Sequence, residues 1–281
     1  MAVHRALRHV WTAALVGSAG ACSSPPEPTL DPLVYEVGGF RIEDGTRAAS
    51  ADLIDSIAAV LGAAVADVTT FLPEFPLPDD TITFQLLPGT GIPFVSPSTL
   101  VISQWQNGLV LEYLPHQVVH LATGYRQRPF LEEGIAVYAS EVLDPSSTIL
   151  YPHYGQLPHA WVSLFEQQGS TIPLATAFGA AALGYDYLGS TADASAWQVT
   201  VEGGSFTRWV FDAYGRDAWL RLYDLDDLTG ALGADVADLE GLWLGTARLA
   251  YPNPLSCEEA LNPEGVLTGR EAFWCARARG E

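Results

Sequence analysis

Glu112-Tyr-Leu-Pro-His116-Gln117-Val-Val-His120 sits inside an apolar-periodic run, Leu109 to Thr123, that stops at Gly124, a natural helix C-cap. This helix divides the chain into two halves that read differently. Ahead of it lie strand patterns. Leu33 to Ile42 alternates and is interrupted at Gly38-Gly39 by a bulge or turn. Thr81-Ile-Thr-Phe-Gln-Leu86 has a clean period of two, and Thr99-Leu-Val-Ile-Ser103 follows beyond a Pro/Gly loop. Between them, residues 48–61 place Leu53, Ile54, Ile57 and Leu61 on one helical face. Behind it the pattern is helical: Leu131 to Val142, Ala160 to Gln168, Phe206 to Tyr214, Asp217 to Tyr223 and Val236 to Leu249, with Ala175 to Gly189 read as loop. The expected class is α+β, a small N-terminal sheet with one helix followed by a mainly helical half.

The central helix also carries the chemistry. Histidines at i and i+4 stand one above the other, so His116 and His120 can reach a single metal ion. Alone, that spacing arises often by chance, and a core or surface histidine pair explains it better. The next segment changes the balance. Pro129-Phe-Leu-Glu132-Glu133-Gly134-Ile-Ala-Val-Tyr138 opens a second helix after a short loop, with a carboxylate on its first turn beside a glycine that permits close helix approach. Two histidines and one carboxylate, leaving a position for water, make up a catalytic zinc site.

The combined pattern resembles the gluzincin metallopeptidases, in which an HExxH helix supplies two histidines and a general base and a later helix supplies a glutamate ligand. The resemblance implies His116, His120 and Glu133 as ligands of one zinc ion, with Glu132 at the variable position before the ligand. Gly203-Gly-Ser205-Phe206-Thr-Arg-Trp209 with Tyr214-Gly215, and Leu232 to Trp243, are similar to helices of bacterial peptidase-MA-like proteins. The similarity spans residues 33–250. It implies that the sheet is mixed, with an edge strand that receives extended substrate.

One departure decides the expected activity. Where active gluzincins carry glutamate after the first histidine, this chain has Gln117. A carboxylate there takes a proton from metal-bound water, whereas an amide has no protonation change near neutral pH. Loss of a general base costs about 10²–10⁴-fold in rate. Glu112, one turn before His116, is a substitute base whose direction depends on whether Pro115 starts or kinks the helix. Glu112 and Glu132 otherwise read as solvated helix surface. His153 and His159 read as loop residues, more often solvent-exposed than lining a cleft. Tyr185 and Tyr187 are packing tyrosines before they are oxyanion-stabilising phenols, and Ser205 lies outside any nucleophile elbow.

The ends of the chain speak to its location. His4, Arg5, Arg8 and His9 precede the apolar run Val10 to Val16, and Ser18-Ala-Gly-Ala21 stands directly before Cys22. This resembles a bacterial lipoprotein lipobox, with residues 1–21 removed and Cys22 carrying lipid; an ordinary cleaved signal is the alternative. The proline-rich residues 22–32 suit a tether. Cys257 and Cys275 then remain as an even pair in an oxidising compartment, expected as a disulfide within a C-terminal extension, 251–281, with two free thiols as the alternative. The 281 residues carry 33 acids against 13 bases, a net charge of −20, which excludes nucleic acid as a partner. No run of about eighteen apolar residues spans a membrane.

The expected protein is therefore a zinc-binding pseudopeptidase, extracytoplasmic and lipid-anchored to a bacterial cell membrane, with the outer membrane favoured. It would bind peptide or a cell-envelope protein. A working metallopeptidase with another base and a structural envelope lipoprotein without metal are the alternatives.

Overall fold

The structure is a computed structural model that describes residues 31–87, 94–96, 98–103, 114–124, 128–145, 155–179, 194–225, 227–261, 272, 275, 276 and 278–280. The signal segment, Cys22, Glu112, His153, Tyr185 and Tyr187 lie outside the described residues. Residues 32–281 group as one compact unit.

The N-terminal half is a five-stranded mixed sheet with the order β1-β2-β3-β5-β4. Strands β1 (Leu33–Val37) and β2 (Phe40–Asp44) form an antiparallel hairpin. Gly38 and Gly39 make its turn with φ of 63° and 87°, a conformation only glycine adopts cheaply at both central positions. The chain then crosses through helix α1 (Ala51–Phe71) to β3 (Thr83–Leu87), which runs parallel to β2. Asp44 sets the entry to that crossing: its carboxylate accepts from the backbone N–H groups of Thr46, Arg47 and Ala49. Ser50 then caps α1 by accepting from Leu53 N. The edge strand β4 (Phe94–Ser96) pairs antiparallel with β5 (Thr99–Ser103), which itself lies parallel beside β3.

Register puts Ile42, Phe84 and Leu100 in one row across β2, β3 and β5, and all three are fully buried. Helix α1 is long and apolar enough to cross a membrane by length and composition. Its buried residues Ile54, Ile57, Ala58, Leu61, Ala64 and Val68 nevertheless form one stripe at helical spacing that joins the same core as the sheet row. Each fully buried aliphatic side chain there contributes about 1.5–3 kcal/mol.

The second half is helical: α2 (Leu114–Thr123), α3 (Pro129–Leu143), α4 (Pro158–Gln168), α5 (Leu174–Phe178), α6 (Ala194–Tyr214), α7 (Arg216–Leu225), α8 (Leu228–Leu232), α9 (Val236–Ala250) and α10 (Cys257–Leu261). The α+β arrangement expected from the sequence is the one observed. Some boundaries differ. Helix α1 runs ten residues past Leu61, because Ala64 and Val68 continue the stripe. Helix α6 starts well before Phe206, and α5 falls inside the stretch read as loop. The short helices α8 and α10 and the three-residue strand β4 carry too little periodicity to read. Cys257 and Cys275 are bonded in a disulfide, with Cα atoms 5.4 Å apart, within a smaller buried cluster with Trp161, Phe165 and Trp197.

Candidate metal centre

Helix α2 begins with Pro115 in its first turn, where a missing N–H costs nothing, so the proline starts the helix rather than kinking it. The helix is packed between α1, α3 and the β4–β5 hairpin, and this burial reaches its polar residues. His116 is 1 % exposed, Gln117 2 % and His120 3 %.

Glu133 is presented from α3. Pro129 opens that helix, and Glu132 reaches back so that its Oε1 accepts the Arg128 backbone N–H at 3.0 Å, closing the first turn. Arg128 donates from Nη1 to the Tyr223 carbonyl at 2.8 Å, tying this helix start to α7. Glu132 is thus buried and turned toward its own helix terminus, not solvated surface as the sequence suggested. Its neighbour Glu133 points the other way. Gly134 follows because α3 and α6 touch backbone to backbone there. A Cβ on Gly134 would stand 2.6 Å from the Gly203 carbonyl oxygen, and one on Gly203 would stand 2.3 Å from the Phe130 oxygen. Both clashes are impossible, so two glycines facing each other fix how deeply α3 and its glutamate sit.

These helices bring His116, His120 and Glu133 together, with ligating atoms within 4.8 Å of one another. The two Nε2 atoms are 3.0 Å apart, Glu133 Oε2 is 3.4 Å from His116 Nε2, and Glu133 Oε1 is 3.4 Å from His120 Nε2. Zinc bonds of about 2.0–2.2 Å at tetrahedral angles separate neighbouring ligand atoms by about 3.3–3.5 Å. The two histidine–glutamate distances match that spacing, the histidine–histidine one is shorter, and among the described residues the set offers three ligands to a divalent ion. Burial lowers the His120 pKa to about 4, against the pull of the Glu133 carboxylate, so the imidazole is neutral at neutral pH.

Two polar atoms on α2 are left over. His120 Nδ1 and Gln117 Nε2 are buried and have no hydrogen-bond partner. A buried unsatisfied donor costs about 1–3 kcal/mol.

A second histidine site lies apart from this one. His159 opens α4 and is 3 % exposed, so it is neither a loop residue nor at the surface as the sequence suggested. Trp243 Nε1 donates to Ser205 Oγ at 2.9 Å, and Ser205 lies 2.9 Å from His159 Nδ1. With its oxygen already accepting from the indole, the Ser205 hydroxyl donates to Nδ1, so the neutral imidazole carries its proton on Nε2. Burial, with the nearby Arg208 cation, lowers the His159 pKa to about 4. The trio ties α4, α6 and α9 together. Nothing in the spacing of His159, Ser205 and Trp243 announces it. No family model matches this chain, and no curated protein or solved structure matches it either.

Proposed function

We propose that the protein is a zinc-binding pseudopeptidase of the cell envelope, held by a lipid on Cys22, whose site binds peptide or a protein partner with impaired hydrolysis. The observation that carries this reading is the convergence of His116, His120 and Glu133, whose ligating atoms lie within 4.8 Å of one another; in the gluzincin resemblance Gln117 falls where the general base stands. The three side chains would hold the ion, which when bound supplies a Lewis acid for a carbonyl or carboxylate oxygen. The chain's own part follows from its residues. Glu133 brings the single carboxylate of the set, and the two glycines at the α3–α6 crossing keep it in place. Gln117 can donate or accept a hydrogen bond but takes up no proton near neutral pH. Binding is therefore retained and proton transfer is not.

Metal analysis combined with an unfolding curve tests this. The purified protein is expected to hold one zinc, and chelation is expected to destabilise it by about 4 kcal/mol at a free ion concentration 1,000 times Kd. His120→Ala should abolish both effects. Peptide hydrolysis should be absent in wild type and is expected to appear, if at all, with Gln117→Glu. Chelator-sensitive cleavage by wild type would make the protein a working metallopeptidase. A protein without metal and without response to chelator would leave the structural reading.

A further inference from the structure

We infer that this site selects a carboxylate anion as its ligand, and that Gln117 is the residue that selects it, by donating from Nε2 to one carboxylate oxygen. The inference rests on the metal-site reading above and goes on to its ligand. Charge comes first. Among the described residues, a divalent ion with two neutral imidazoles and the Glu133 carboxylate leaves one net positive charge among side chains that are 1–3 % exposed. An uncompensated buried charge costs several kcal/mol, so the fourth position favours a monoanion. Glu132, the buried carboxylate next to Glu133 on α3, is turned away to the Arg128 N–H.

The identity of residue 117 then sets the ligand class. A glutamate would supply the missing negative charge from the protein and repel a second anion. Glutamine supplies no charge and leaves a buried donor with no partner. A carboxylate meets both demands at once, because one oxygen can take the open position while the other accepts the amide N–H. A neutral carbonyl satisfies the donor but not the charge. The substitution that removes a proton acceptor thus also creates an anion receptor.

The probe is acetate, small enough for a buried site, and the readout is spectroscopic rather than catalytic. Cobalt(II) loaded into the protein should give visible bands that change saturably with sodium acetate at constant ionic strength. Gln117→Leu should take up cobalt and weaken acetate by about tenfold or more, the worth of a hydrogen bond to a charged group. Gln117→Glu should take up cobalt and lose the acetate response. A tripeptide with a free C-terminal carboxylate, set against its amide, separates the two sources of this chemistry. Tighter binding of the free-acid peptide than of acetate points to a peptide C-terminus, and no gain over acetate points to a small free acid. Normal cobalt uptake without an acetate response overturns this inference and leaves the metal reading standing, as does an equal response in wild type and both variants. Failure to take up cobalt or zinc overturns both.

Discussion

His120 and His159 are buried to the same extent, and burial holds the pKa of each down to about 4, yet they sit in opposite kinds of surroundings. Around His159, the indole N–H of Trp243, the hydroxyl of Ser205 and the imidazole Nδ1 form a chain in which each group finds its partner. Around His120, two imidazole nitrogens and a carboxylate crowd toward one point, while His120 Nδ1 and Gln117 Nε2 find none. Native interiors rarely leave such groups unmatched. A closed chain of hydrogen bonds is complete without anything else and acts as a tie between helices. An open one is complete only with a ligand. On this contrast the Ser–His contact is a structural tie, and the histidine pair on the ten-residue helix is the candidate site.

The sharpest way to break the contrast is at Ser205. Ser205→Ala removes the shared hydroxyl and strands both the Trp243 indole N–H and His159 Nδ1 in the core. The expected cost is about 3 kcal/mol, from two buried groups left unsatisfied, read as a lower midpoint in denaturant. Metal content should be unchanged. If zinc is lost together with stability, the two histidine sites are one coupled system and the distinction drawn between them fails.

How far the sequence could show this contrast depends on whether the partners are near in the chain. His116 and His120 share one helix, so their spacing alone places both on one face, and the glutamate follows on the next helix beside a glycine. The period-two strands and the α1 stripe were legible for the same local reason. The Ser205–His159–Trp243 trio joins residues 46 and 38 positions apart, and no periodicity encodes such a meeting. Gly134 was readable as a point of close approach, but the glycine opposite it, Gly203, is selected only by the crossing itself. Glu132 escapes such a reading because its role is to take one backbone N–H at 3.0 Å, which side-chain periodicity does not advertise.

Acid sharpens the comparison at His159. Its folded pKa of about 4 lies below the ordinary value of 6.5, so as pH falls the unfolded chain takes up the proton first. Stability contributed by the neutral imidazole is present above the ordinary value and is lost as pH falls toward the folded one. Between pH 7 and pH 5 this amounts to about 2 kcal/mol. His120 behaves alike once metal is removed, so the measurement uses chelated protein and compares wild type with His159→Gln, whose amide oxygen can still accept from Ser205. The variant should lose about 2 kcal/mol less than wild type over that interval. Equal losses would mean that His159 takes up its proton in the folded chain over the same range as in the unfolded one, so that burial does not hold its pKa down.

The smallest expected effect has the opposite sign, and that makes it the most discriminating. A satisfied buried group costs stability when it is deleted, whereas an unsatisfied one returns its desolvation penalty when an apolar group of similar shape replaces it. Gln117→Leu keeps most of the side-chain volume and removes the partnerless Nε2. In chelated protein it should therefore raise stability by about 1 kcal/mol, while Ser205→Ala under the same conditions lowers it. Metal reverses the outcome only if Gln117 serves the ligand. With zinc and acetate both present, wild type should regain on Gln117→Leu, because the amide then has a partner that leucine cannot offer. Should Gln117→Leu be destabilising even without metal, the Gln117 amide is already satisfied within the fold, and the account of an open site waiting on a ligand loses its second support.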